Sequence, residues 1–496
     1  MAVVAVVSTG MPPSAAMATT QLASVLARRV FTGVTSSCSL FSKNWLTSAG
    51  ISHLTAAARV SSGISLVDRA ATFGVSTSAM RRRGTAAAVR DGNFVNEKEM
   101  LVLGIETSCD DTGAAVVSAD GRILGEAIAS QAELLARWGG VVPKLAQEEH
   151  QKFIDKVVEE ALQNAKVKES DLSAVAVTIG PGLSLCLRVG VRKARTIART
   201  HQLPLVGVHH MEAHALVVRI TEKAVQFPFV VLLISGGHNL LLLAKNVGNY
   251  VQLGTTIDDA IGEAYDKSAR WLGLDLKRGG GPALEEIARE GNPKSIPLSV
   301  PLRGIKYRDC NFSYAGLKTQ VRMAIKARNI DGDQVPLSAA SPEDRQVRAD
   351  IAASFQRVAV QHLEDKCRRA IEWARKLEPS VTTLVVSGGV ASNQEVRGRL
   401  SDLAEDMGLQ LVCPPPRLCT DNGVMVAWAG IEHLRLGIYE EPPPVDEPDD
   451  VYLDLRPRWQ LGEVLSEGLS EARSLKKAGN HPSLTAQVRT ILGGSR

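Results

Sequence analysis

His210 and His214 lie four residues apart in LVGVHHMEAHA (205–215). On a helix that spacing stacks two imidazoles on one face, a turn apart. Two ring nitrogens so placed reach a single metal ion. Downstream, the apolar run Phe229–Ile234 ends in Ser235-Gly236-Gly237-His238. A buried strand that runs into such a turn leaves bare backbone N–H groups where a phosphate can dock. A metal pair beside a phosphate loop points to a metal-bridged nucleotide site.

Other stretches carry complementary chemistry. Thr107, Ser108, Asp110, Asp111 and Thr112 crowd one turn between two apolar runs. That pattern holds a phosphate and its metal in actin-like ATPases, or else forms an ordinary acidic hairpin. Asp421, in CTDNG, heads a helix and offers a third metal ligand; the plainer alternative is a helix cap. A second Ser-Gly-Gly turn, Ser387-Gly388-Gly389, leads to Asn393 at a helix start and suits the adenosine end of a nucleotide. Asp266 could bond a ribose or another substrate hydroxyl. Glu212 follows His210 by two positions, about 200° around the helix. A zinc-protease HExxH places its glutamate beside the metal, so the peptidase reading is weakened.

These groups need a frame. Strands are expected at 100–105, 114–117, 174–179, 205–208, 229–234, 239–244, 383–386 and 411–413, with helices over 146–164 and 351–377. The strand–turn–strand plan of 100–117 recurs at 229–244, which predicts an α/β chain of two related halves. The expected parts are a leader (1–93), an N-terminal lobe (98–225), a C-terminal lobe (226–435), an acidic Pro-rich linker and closing segment (436–460) and a polar tail (461–496). A helix opens near Thr256, and residues 324–348 read as a surface insertion. Arg188, Arg192, Arg195 and Arg199 share one helix face, either as an RNA-phosphate stripe or as a solvated surface.

The 496 residues carry a net charge of +4, but residues 1–90 alone hold +8, leaving the body at −4. A mildly acidic body excludes blanket affinity for nucleic acid. The leader, rich in Ala, Ser, Thr and Arg with Asp68 as its one acid through residue 90, reads as a transit peptide. A mitochondrial address is preferred, with the plastid as alternative. Seven scattered cysteines contain no CxxC pair, which excludes a zinc ribbon and a disulfide scaffold. No apolar run reaches membrane-spanning length.

GIETSCDDTGAAVV (104–117), HHMEAHA (209–215), LLISGGH (232–238), IDDAIGEAYDKSARWLGL (257–274), GGGP (279–282), NFSYAGLKT (311–319), VVSGGVASN (385–393) and CTDNGVMVA (419–427) occur in this order. Together they resemble the universal tRNA N6-threonylcarbamoyladenosine transferase family, formerly called O-sialoglycoprotein endopeptidase, over residues 100–458. With its leader, the chain is most similar to the organellar branch.

The resemblance implies an actin/Hsp70/sugar-kinase-like fold of two lobes with the site in the cleft between them. It implies transfer of threonylcarbamoyl from threonylcarbamoyl-AMP to N6 of adenosine 37 in tRNAs reading codons that begin with A. One divalent cation per subunit would be held by His210, His214 and Asp421. Leu233, Ile234, Ser235, Gly236 and Gly237 would form the phosphate loop. Asp266, Gly281, Glu285 and Asn393 would hold the nucleotide. Asp110 would assist N6 deprotonation. The implied partners are tRNA, a separate synthase that supplies the adenylate, and a second copy of the chain. The rival activities are a metal-dependent glycoprotein endopeptidase, an actin-like ATPase scaffold or chaperone and, more weakly, a sugar kinase.

Overall fold

The computed structural model describes residues 100–304, 309–448, 453–465 and 481–491 except Gly139, together with Val451 and a two-residue antiparallel pair, Val89–Arg90 with Asn93–Phe94. The transit-peptide segment otherwise lies outside the described residues.

Two sheets are built to one plan. In the first, β1 (Leu101–Glu106), β2 (Thr112–Ser118) and β3 (Ile123–Ala129) form an antiparallel meander. Helices α1 (Ala132–Trp138) and α2 (Pro143–Ala165) follow. Next come β4 (Ala174–Gly180), α3 (Ser184–His201) and β5 (Leu205–His209), with β4 and β5 added in parallel beside β1. The sheet order is β3-β2-β1-β4-β5.

After α4 (His210–Leu216) and α5 (Val218–Thr221) the plan repeats. Strands β6 (Phe229–Ile234), β7 (Asn239–Asn246) and β8 (Asn249–Thr255) form the second meander. Helices α6 (Ile261–Trp271), α7 (Gly280–Ala288), α8 (Ala315–Lys326) and the long α9 (Pro342–Leu377) cross over. Strand β9 (Thr383–Ser387), α10 (Gln394–Asp406) and β10 (Gln410–Val412) complete the parallel side. The result is a duplicated α/β architecture, each sheet joining an antiparallel meander to two added parallel strands.

Central strands such as Ala174–Gly180 and Phe229–Ile234 are buried at every residue. They therefore read as continuous apolar runs rather than alternations. After α11 (Pro416–Cys419), the chain returns to the first sheet as α12 (Gly423–Arg435). The approach is backbone to backbone: a Cβ at Gly104 on β1 would collide with Ala427 N and Gly423 O. The sequence TDNG…A supplies the small residues this requires.

Two expectations need correction. The surface insertion expected at 324–348 is narrower than that: residues 327–341 are turns and one short 3-10 stretch with none buried, and helices take both ends. Helix α8 runs through Lys326 and α9 begins at Pro342, capped by Ser341, whose side chain accepts from Asp344 N. Arg348 is buried, donating to Leu272 O and Val335 O and paired with Asp344. The helix near Thr256 opens later, at Ile261, because Asp258 is spent on capping α8 through Tyr314 N and Ala315 N. Within the polar tail (461–496), β11 (Glu463–Val464) pairs with β8, and α13 (Leu484–Ile491) packs Leu484 and Val488 into the core.

Candidate active site

Helix α4 starts where β5 ends, so the sheet aims its first residue. His210 and His214 meet edge to face, with ring centroids 4.8 Å apart and planes at 89°. Asp421, delivered by the loop before α12, places Oδ1 3.0 Å from His214 Nε2 and 3.7 Å from His210 Nε2. The helix cap that competed with Asp421 is Asn422, whose side chain accepts from Met425 N.

These residues fit a divalent cation. Two imidazole nitrogens and a carboxylate oxygen, all within 4.8 Å of one another, converge on one point. His210 Nδ1 faces Glu106 Oε2 at 3.1 Å and Ser108 Oγ at 3.2 Å. That arrangement leaves Nε2 for the ion, as carboxylate–histidine–metal sites do. Electrostatics favour positive charge at the same point. Burial alone would push the His210 ring down, yet Glu106 and Asp421 outweigh it and raise it to about 9. Burial alone would push the Asp421 carboxyl up, yet His210 and His214 hold it well below the usual range.

Glu106 was missed by sequence reasoning. It is fully buried; Oε1 accepts from Ser108 N at 2.6 Å and Oε2 from Thr178 Oγ1 at 2.6 Å. The available signal was a lone acid ending an apolar strand. His150 on α2 was also missed. Its Nδ1 lies 2.7 Å from Thr112 Oγ1 and its Nε2 3.1 Å from Cys109 O, bracketing Asp110. Burial pushes the Asp110 carboxyl up; a Cys109 hydrogen bond opposes this and the Asp421 charge adds to it.

The Ser235–His238 turn is pinned by Ser235 N donating to His238 O at 2.9 Å and His238 N to Ser235 Oγ at 3.1 Å. Gly236 and Gly237 are exposed and face open space. Leu233 and Ile234 bury their side chains in the core, leaving only backbone toward the loop. His238, absent from the sequence-derived set, is pushed down to about 4 by burial and by His210, so it sits in the field of the triad.

Ser387 pairs in register with Leu233, which sets the second glycine turn beside the first. Near it, Asn393 accepts from Val396 N and donates to Gln356 Oε1, while Glu285 accepts from Gln394 N at 2.9 Å. Asp266 accepts from Gly280 N at 3.1 Å, and Gly281 borders open space. Asp266, Gly281, Glu285 and Asn393 thus gather around the starts of α7 and α10.

Glu212 turns away from the triad. Its Oε2 meets His433 Nε2 at 2.7 Å and its Oε1 accepts from Gly248 N at 2.7 Å, fully buried. A peptidase would lack its general base. The arginine stripe divides: Arg195 pairs with Glu440 and Glu447 and Arg199 donates to Glu447 O, whereas Arg188 and Arg192 are exposed.

A family profile for tRNA N6-adenosine threonylcarbamoyltransferase matches residues 122–428. A probable mitochondrial tRNA N6-adenosine threonylcarbamoyltransferase of Arabidopsis thaliana is 64% identical over 393 residues, covering 79% of this chain and 81% of that one. The enzyme of that name from Novosphingobium aromaticivorans is 45% identical over 368 residues (73% and 96%). The mitochondrial one from Mus musculus is 43% identical over 385 residues (75% and 88%).

Proposed function

The chain belongs to the tRNA N6-adenosine threonylcarbamoyltransferase family, and we propose that it performs that transfer around a divalent cation held by His210, His214 and Asp421. The convergence of those three donor atoms within 4.8 Å carries the reading. When bound, the cation supplies Lewis acidity toward a phosphate and a carbonyl oxygen.

The chain's own residues do the rest. The donor is threonylcarbamoyl-AMP, made by a separate synthase. The N–H groups of Gly236 and Gly237 and the Ser235 hydroxyl, on the strand end Leu233–Ile234, hold its phosphate. Asp266, Gly281, Glu285 and Asn393 hold its nucleoside. The N6 amine of the tRNA adenosine attacks the carbamoyl carbon; the C–N bond forms, the bond from carbon to the phosphate oxygen breaks, and AMP leaves. Asp110 takes the N6 proton, since a carboxyl raised by burial is a better base than an exposed one. Because an exocyclic amine is a weak nucleophile, much of the rate comes from the two glycine turns fixing the adenylate.

The leader carries the chain to the mitochondrion, the address in the names of the Arabidopsis and mouse relatives. Among the described residues, no helix is long and apolar enough to cross a membrane. The working unit is a homodimer, and the tRNAs are those that read codons beginning with A. Nucleoside mass spectrometry of mitochondrial tRNA after depletion tests the function. Wild type restores N6-threonylcarbamoyladenosine and Asp421→Ala does not; unchanged nucleoside levels on depletion would refute it.

A further inference from the structure

The segment Arg456–Val464 lies outside every motif discussed above, yet it touches both sheets and the metal helix. At its start, Arg456 N donates to Ile179 O at 2.7 Å, and Gly182 N donates to Pro457 O at 3.2 Å. The fit leaves no room for a side chain at Gly180, where a Cβ would collide with Arg456 O. At its end, Glu463 and Val464 pair with Val251 and Gln252 of β8. In between, the Trp459 ring packs on His209 with centroids 4.7 Å apart.

His209 joins this segment to α4. Its Nε2 lies 3.0 Å from Trp459 O. A carbonyl only accepts, so Nε2 carries the proton and Nδ1 keeps its lone pair. That lone pair accepts from Met211 N at 3.1 Å, capping α4. One tautomer satisfies both bonds, and neither nitrogen is left for a metal. Helix α4 has seven residues. So short a helix does not hold its own direction; its ends must be set from outside.

We propose that Arg456–Val464 is a clamp that sets the position of the metal helix against both sheets, with His209 as the positioning residue between clamp and helix. The proposal rests on the metal reading of His210, His214 and Asp421. Loss of such an indirect support weakens metal affinity by roughly 10-fold, the lower end of the range for outer-shell partners.

Co2+ binding to the full chain, followed by chelator competition and by its visible absorption bands, tests this. His209→Asn keeps a capping oxygen but cannot reach Trp459 O; Trp459→Leu removes the ring. The expected result is roughly 10-fold weaker Co2+ binding in each, altered bands, and a double variant no weaker than the weaker single. His209→Asn that is folded by circular dichroism and binds Co2+ within about twofold of wild type overturns the clamp, as do additive losses in the double variant. Because Asn preserves the cap, His209→Asn decides the matter alone should Trp459→Leu fail to fold. His214→Ala is the control. Wild-type Co2+ affinity there overturns the metal reading itself; lost affinity there with intact His209→Asn binding overturns the clamp alone.

Discussion

Glu106→Gln changes one buried oxygen to NH2 with almost no change in shape. Glu106 receives three donors: Ser108 N and Thr178 Oγ1, each at 2.6 Å, and His210 Nδ1 at 3.1 Å. A glutamine accepts through one atom and donates through the other. Turned with its oxygen toward Thr178 and His210, it sets NH2 against the Ser108 N–H. That buried clash costs about 1–3 kcal/mol of stability. Turned the other way, it donates to His210 Nδ1 and forces the proton onto Nε2, the atom that faces Asp421. Metal affinity then falls by roughly 10–100-fold, about 1.4–2.7 kcal/mol. Chelator competition with Zn2+, alongside thermal melting of the metal-free protein, separates the two orientations. A folded Glu106→Gln protein with wild-type melting temperature and Zn2+ affinity within twofold of wild type would show that the carboxylate does not hold His210.

Asp110→Asn should lower transfer by roughly 10²–10⁴-fold while leaving Zn2+ affinity intact, which single-turnover assays and chelator competition together check. Gly104→Ala forces a methyl into the backbone of α12. It should destabilise by about 1–3 kcal/mol in denaturant melts and weaken metal binding, because α12 follows directly on Asp421. Burial, then the Asp110 charge, lifts the Asp111 carboxyl from 3.8 to about 7. The folded state therefore keeps a proton that the unfolded chain loses, and this contribution is full below pH 3.8 and fades as pH rises through 7. Melting curves of the chelated protein between pH 4 and 8 should fall more steeply for wild type than for Asp111→Asn.

The meeting of His210, His214 and Asp421 was legible because its parts carry strong local signals: an i, i+4 histidine pair, and an acid at a helix start flanked by small residues. The duplicated sheet was legible from apolar runs that end in polar or glycine turns. Glu106, His150 and Trp459 were not, because each acts through a partner far away in the chain. Nothing near Glu106 in sequence foretells Thr178 or His210. Nothing near Trp459 foretells His209, 250 positions earlier. The early start of α9 had a local signal, Ser341-Pro342-Glu343-Asp344, that weak apolar periodicity masked. Arg348 then looked like surface because its carbonyl partners come from Leu272 and Val335.

The way α12 lies on β1 bears on the order in which the protein is made. Asp421 meets His214 across 207 residues of chain. A ribosome that has finished all five strands of the first sheet has not yet made the helix that covers the face around Gly104. The nascent N-terminal half must wait, greasy side bare, for nearly the whole message to be read. A chain cut short before Asp421 would lack both the helix that covers that face and the carboxylate that meets His214.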